Sequence, residues 1–286
     1  MAGQQGSSLT FYVRELLVSS YMQWRPSNSS ITRSPPPSEK LDVILKAPGN
    51  TSHEGKARLR SSVTLDSLYL SAFQDAFDGV DTEDNGKVRI VIGSVVLAAN
   101  PLPPSAIATI AGLGKQEVMN LLQLIQSLLK FSEDPDSPVL PFHKSFPDFI
   151  TNPLRCPDKH FYISREAGHL ELALGCLKLM NNTLKPNLLS LPDYVLNSEV
   201  EDLQARIDNH ISVSLEYACR YWSNHLIEAK GYTTTILPVL DGFLKEKFLA
   251  WLEVLSVIEA ASGAVASLDR LMSWALVCFV LFYPTP

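Results

Sequence analysis

Between Val88 and Ala99 the chain reads VRIVIGSVVLAA, in which Arg89 is the single charged residue. A run this apolar has no face to give to water, so it must be buried on all sides, as a helix or a strand. Asn100-Pro101 stops it, and Pro103-Pro104-Ser105 opens a short helix, AIATIAGL. Proline is tolerated in a first turn because the N–H it lacks has no intrahelical partner there. Gly112 and Gly114 make the next turn. Lys115 to Lys130 then carries Val118, Leu121, Leu122, Ile125, Leu128 and Leu129 on one helical face. The acidic stretch EDPDSP separates two short β-like pieces, LLKF and VLPF. Upstream, Thr64-x-x-Ser67 offers hydroxyl caps to a helix with Leu65, Leu68, Tyr69, Ala72, Phe73 and Phe77 on its apolar face, and a polar loop, DGVDTEDNGK, follows it. Helix–turn–helix and then a hairpin is the order of a winged-helix domain.

The second half reads as longer helices. One covers His169 to Leu184. Val200, Leu203, Ile207, Ile211, Leu215, Ala218, Trp222 and Leu226 predict a single helix of about eight turns. Leu237, Leu240, Leu244, Phe248, Trp251, Leu255 and Ile258 predict another. The expected fold class is mainly α: a winged-helix domain with a short β wing, followed by a helical bundle. Residues 1–63 are expected to be a poorly ordered segment and linker, in which FYVRELLVSSYMQW is the one helix-like run and Ser27 to Lys40 is Ser/Pro-rich. The winged helix then spans 64–155, the bundle 156–262, and an apolar tail 263–286.

Composition narrows the function. Of 286 residues 46% are hydrophobic and 19% charged, which excludes a disordered polar chain. The net charge of −6, with Glu133, Asp134 and Asp136 in the wing and only Lys115 and Lys130 basic on the would-be recognition helix, disfavours nucleic acid. Cys156, Cys176, Cys219 and Cys278 form no C-x-x-C pair and lie in apolar or helical contexts, as free cysteines of a reducing, cytoplasmic setting do. The start lacks a basic segment followed by an apolar one, so no signal peptide is expected and the sequons at Asn28, Asn50 and Asn181 are chance matches. WALVCFVLFY, from Trp274 to Tyr283, is shorter than the ~20 apolar residues of a spanning helix. It reads as a buried terminal helix or strand, with a tail anchor as the alternative.

Few motifs carry chemistry. Gly79 and Gly86-Lys87 enclose too many residues for a phosphate-binding loop, and Val88 stands where Ser or Thr is needed; Gly114-Lys115 has Thr109 in place of the first glycine. Asp81-x-Glu83-x-Asn85-Gly86 begins like a calcium loop, but Ile92 occupies the position of its bidentate glutamate. No nucleophile motif occurs. Cys156-x-x-x-His160 and His169 with Cys176 offer two sulfurs and two imidazoles, the donor set of a zinc site, though not at the usual tight spacing. The stripe Tyr217, Tyr221, Trp222, with Arg220 beside it, reads as packing.

Four blocks taken together resemble one family: VLAANPLPPSAIATIAGL (96–113), SPVLPFHKSFPDFITNPLRC (137–156), HLELALGCLKLMNNTLKPN (169–187) and LEYACRYWSNHL (215–226). They are similar to the region just downstream of the NTPase core in fungal NACHT-domain proteins, signalling ATPases of the STAND class akin to NOD-like receptors. The resemblance runs from about Leu41 to about Ile258. It implies a winged-helix module and a helical linker. It also implies a role for His143, in PFHKSF, where the family's winged helix presents a histidine to the nucleotide phosphate. Read from the residues alone, His143 caps the helix SFPDFI. Neither the family's Walker A nor its Walker B segment is found in residues 1–40.

The resulting expectation is a non-catalytic regulatory or interaction module with no cofactor, bound to a protein partner or to a separate NTPase core. The alternatives are a metal-dependent protein using Cys156, His160, His169 and Cys176, and a tail-anchored membrane protein. Phe142, Phe146 and Phe149 are all expected to face the core, and His143 to be partly exposed on a surface shared with the Leu65–Phe77 helix.

Overall fold

The computed structural model describes residues 54–77, 84–230 and 233–282, with side chains for 65–77, 86–230 and 234–275. The helix-like run at 11–24, the linker at 27–40, the first part of the acidic loop and the end of the apolar tail lie outside these residues. The chain divides into two units, Met1–Leu65 and Asp66–Pro286. The description below concerns the second.

The described residues are mainly helical, with one two-stranded sheet. Helix α1 covers Glu54–Phe77. Thr64 therefore lies inside a helix rather than at its cap, and of the expected apolar face Tyr69, Phe73 and Phe77 are buried while Leu68 is exposed. The all-apolar run is a helix, α2 (Asp84–Leu97), which takes Asp84 to Lys87 from the expected loop into its first turn. Val88, Val91, Ile92 and Val95 are buried along it.

An extended segment follows, in which the Leu102 carbonyl accepts the Val139 N–H at 3.0 Å. Helix α3 (Pro104–Ala111) has Pro104 in its first turn and ends at Gly112, whose φ of 68° is the left-handed conformation glycine adopts without strain. Helix α4 (Lys115–Leu124) is shorter than the periodicity predicts, because Leu129 and Lys130 leave it to form β1 (Leu129–Lys130). β1 pairs antiparallel with β2 (Leu140–Pro141), Leu129 opposite Pro141 and Lys130 opposite Leu140. The connecting loop folds back on α3: the Asp136 carboxylate accepts the Ser105 hydroxyl at 2.7 Å, and the Ser105 N–H donates to the Pro135 carbonyl. A carboxylate at that helix start meets the positive end of its dipole.

Helix α5 (Ser145–Ile150) leads through a turn-rich stretch to α6 (Arg165–Thr183), whose first turn is capped by Ser164 accepting the Ala167 N–H. The expected eight-turn helix is two. Helix α7 (Leu203–His210) ends where Ile211 and Ser212 turn extended, and the Ser212 hydroxyl then caps α8 (Val213–Glu228) by accepting the Leu215 N–H at 3.2 Å. The apolar spacing continues through this break although Leu203 and Ile207 of α7 are only half-buried, whereas α8 buries Leu215, Ala218, Trp222 and Leu226. Helix α9 (Thr233–Gly242) passes through a π-helical turn, Phe243–Lys247, into α10 (Phe248–Val257), and α11 covers Ala261–Phe282. The extra residue of the wide turn puts Phe243 rather than Leu244 in the core. Among the described residues no helix is long and apolar enough to cross a membrane.

Helix α6 lies at the centre, packed against α2, α3, α8 and α9. Gly175 makes the α3 crossing possible: a Cβ there would stand 2.2 Å from the Ile110 carbonyl oxygen. At Gly168 the nearest atom, 2.4 Å from a built Cβ, is instead the Leu97 methyl, at the end of a rotatable side chain. Gly175→Ala is expected to destabilise the fold by about 3 kcal/mol and Gly168→Ala by about 1 kcal/mol, measured by urea denaturation. Equal losses would show that the two crossings are equally adaptable.

Candidate functional site

The face that carries His143 is built by aromatic packing. Phe146 and Phe149 of α5 are fully buried, and Phe73 stacks on both Phe146 (5.9 Å between centroids) and Phe161 (5.0 Å). Tyr69 meets Phe146 edge-on at 5.6 Å. This contact brings the Tyr69 hydroxyl to the start of α5, 2.9 Å from Ser145 Oγ. Ser145 Oγ is in turn 2.7 Å from His143 Nδ1, which also accepts the Ser145 backbone N–H at 3.1 Å. Since Nδ1 accepts, Ser145 Oγ–H donates to it and takes the Tyr69 O–H; a neutral His143 then carries its proton on Nε2.

His143 is exposed, and its imidazole is hydrogen-bonded to the first turn of α5 at the same time. The exposed ring and the helix cap, alternatives in the sequence, are compatible in the structure: one nitrogen faces the helix and the other is left over. Phe142 does not join Phe146 and Phe149 in the core. It is 65% exposed, with the Lys130 ammonium 5.3 Å from its ring centre. Phe142 directly follows β2 and precedes α5, so helical spacing does not apply to it.

Beside this cluster, Arg155 forms a two-pronged pair with Asp66 of α1, Nε to Oδ2 at 3.0 Å and Nη2 to Oδ1 at 2.6 Å, with side chains 26% and 17% exposed. The hydrogen bonds to Asp66 hold the guanidinium pKa above its ordinary value. Arg155 also lines an open cavity of about 520 Å³ with Asp148, Thr151, Asn152, Pro153 and Arg165. The carboxylates of Asp66 and Asp148 offset the two arginines, so the cavity is not an anion trap.

The metal donors do not converge. Among the described residues no group of three or more His, Cys, Asp and Glu side chains is placed to hold a metal ion. Cys156 is buried and its thiol is pushed up to about 11 by desolvation, and the enclosed Cys176 thiol rises for the same reason, so neither is a ready thiolate. His160 is exposed, and His169 is turned to another histidine, His225 of α8, with the two Nδ1 atoms 2.8 Å apart. Among the described residues these four side chains are not brought together as a metal site.

That histidine pair is not foreshadowed by any motif in the chain. Tyr217, Tyr221 and His225 do recur every four residues along α8, so a shared face was legible. Their partners were not: Tyr217 O accepts the Ala99 N–H at 3.0 Å, and Tyr221 O accepts from Asn100 Nδ2 at 2.6 Å. Arg220 pairs with Glu216 and donates to the Ile258 carbonyl.

These elements define a helical protein with a small hairpin, an exposed histidine at the hairpin's exit and no metal-ligand cluster among the described residues. No family model, curated protein or solved structure matches the chain.

The Asp66–Arg155 pair tethers α1 to the turn after α5. Arg155→Ala is expected to lower stability by about 1–2 kcal/mol in chemical denaturation, and Arg155→Lys to recover less than half of that, because an ammonium cannot reproduce the two-pronged geometry. Full recovery by lysine would reduce the pair to simple charge attraction.

Proposed function

We propose that the chain is a non-catalytic regulatory and interaction module of the NACHT/STAND type: a winged helix followed by a helical bundle, acting in the cytoplasm on a protein partner or a separate NTPase core. Three features support the winged-helix reading. Helices α2, α3 and α4 are followed by the hairpin in the expected order. The extended segment at Leu102 is hydrogen-bonded to the hairpin through Val139. The α3–α4 connection is a tight glycine turn.

The observation that carries the functional reading is the state of His143. Its Nδ1 is occupied by Ser145, and its Nε2 has no partner among the described residues. A neutral ring so held presents one N–H donor to whatever docks on this face, a fitting contact for a phosphate oxygen that another chain carries. The residues around it supply no phosphate-binding loop, so the nucleotide belongs to the partner. An acidic loop folded onto α3, and Lys87 paired with Glu117 at 2.6 Å, argue against nucleic acid.

Calorimetric titration of the full chain with ADP or ATP tests the reading. No saturable binding is expected at micromolar concentrations, and His143→Ala is expected to weaken binding to an ADP-loaded NTPase core of this family about tenfold. Micromolar binding of free nucleotide would overturn the claim that the chain lacks its own site.

A further inference from the structure

The hydrogen bonds that join α6, α8 and the end of α2 form one continuous chain. Ala99 N–H donates to Tyr217 O at 3.0 Å, Tyr217 O lies 2.7 Å from His225 Nε2, and His225 Nδ1 lies 2.8 Å from His169 Nδ1. Tyr217 and His225 are 4% and 1% exposed, so an unpaired proton or lone pair on either is costly.

Only one arrangement of protons satisfies every group with both rings neutral. The Tyr217 hydroxyl accepts from Ala99 and donates to His225 Nε2, so the His225 proton sits on Nδ1. That proton is donated to His169 Nδ1, and the His169 proton is therefore on Nε2. If His225 instead donated from Nε2, Tyr217 O would accept twice and its own proton would have no acceptor among the described residues.

We propose that this chain is a proton-sensitive latch, in which protonation of His169 reverses the hydrogen bonds and frees the end of α2 at Ala99 from the α6–α8 pair. A proton taken up at His169 Nδ1 faces the Nδ1–H of His225 across 2.8 Å. The pair can be restored only if His225 moves its proton to Nε2 and accepts at Nδ1. Nε2–H then points at Tyr217 O, which already receives Ala99, and the phenolic proton is stranded in the interior. The phenolic O–H can turn only toward the Ala99 N–H, donor against donor, so the Ala99 bond opens and the phenolic hydrogen is left to water that enters the gap.

The surrounding charges keep the latch closed at neutral pH. From α6, Arg165 opposes a charge on His169 while Glu166 favours it; from α8, Glu228 favours it; Lys230, just beyond α8, acts on Glu166. Burial outweighs these and lowers the His169 pKa, and it holds His225 lower still, at about 3. The Cys176 thiol and the Tyr221 ring also face Tyr217, and burial holds the Cys176 thiol and Tyr217 itself protonated. The sign follows. Both histidine pKa values are depressed, so the closed state has its full stability above the unfolded histidine range near pH 6.5 and loses it as pH falls below that range. His169, less buried than His225, is the entry point. The latch depends on this geometry and not on the family reading.

Long-range nitrogen–proton spectra and amide exchange of the full chain test it. Near pH 7.5, His225 is expected to carry its proton on Nδ1 and His169 on Nε2. As pH falls from about 6.5 toward the lowered His169 pKa, the protection of the Ala99 amide is expected to fall about tenfold for each pH unit and then to level off. In His169→Gln, whose amide oxygen can accept from His225 but takes no proton, that fall should disappear while the neutral-pH protection remains. The wild-type spectra decide the matter if the variant does not fold. A proton on His225 Nε2 at neutral pH, or Ala99 protection unchanged through the His169 titration, would overturn the proposal.

Discussion

The contact on which the rest of the packing depends is the crossing of α3 over α6 at Gly175, where the Ile110 carbonyl lies against a residue with no side chain. Helix α6 buries Leu170, Leu172, Ala173, Leu174, Cys176, Leu177 and Met180, which face nearly every direction around its axis. A helix apolar all round must be surrounded. Because α3 sits so close on one side, α8 can occupy the other, with α2 and α9 closing the remaining flanks. Alanine, glycine and cysteine at 173, 175 and 176 set these distances; the leucines fill what is left.

Several polar groups in this interior join one element to another. The Trp251 indole N–H donates to the Cys219 carbonyl at 2.9 Å, holding α10 on α8, and Lys247 reaches the Leu184 carbonyl from the π-helical turn. Trp222 does not. It is fully buried with Phe243 5.1 Å and Trp251 6.0 Å away, and its N–H has no partner. An unpaired indole donor costs about 1–3 kcal/mol, which burial of so large a ring offsets. Aromatic packing and the Trp251 hydrogen bond together hold α10 and the π-helical turn on α8.

Much of the helical content was legible in the residues, because apolar spacing of three and four is a local signal: α3, α6 and α8 stand close to where periodicity puts them. The errors share a cause. Spacing reports which side is buried and not where the backbone breaks, so the step at Ile211–Ser212, the shortened α4 and the wide turn at Phe243–Lys247 escaped it. The hydroxyl of Ser212 was the available sign of the first. The site divides similarly. The exposure of His143 followed from its place between a hairpin and a helix, whereas Phe142 was misassigned by extending helical spacing one residue too far. The pairing of His169 with His225 joins residues 56 apart in sequence, and nothing local to either histidine announces it. The cysteines nearby suggested metal instead.

The five residues from Ala99 to Pro103 bind these parts into one arrangement. Ala99 is held by Tyr217 and Asn100 by Tyr221, one turn further along α8; Leu102 is bonded to Val139 beside the hairpin, and Pro103 leads into α3. Three prolines, at 101, 103 and 104, fix φ near −65° and leave the segment few soft torsions with which to absorb a displacement. A shift of Ala99 on α8 is therefore passed to Leu102, and through Val139 to the strand that ends at Phe142 and His143. An exposed histidine and a buried one, on opposite sides of the α2–α3 connection, are thus joined by a short stiff length of backbone rather than by a direct contact.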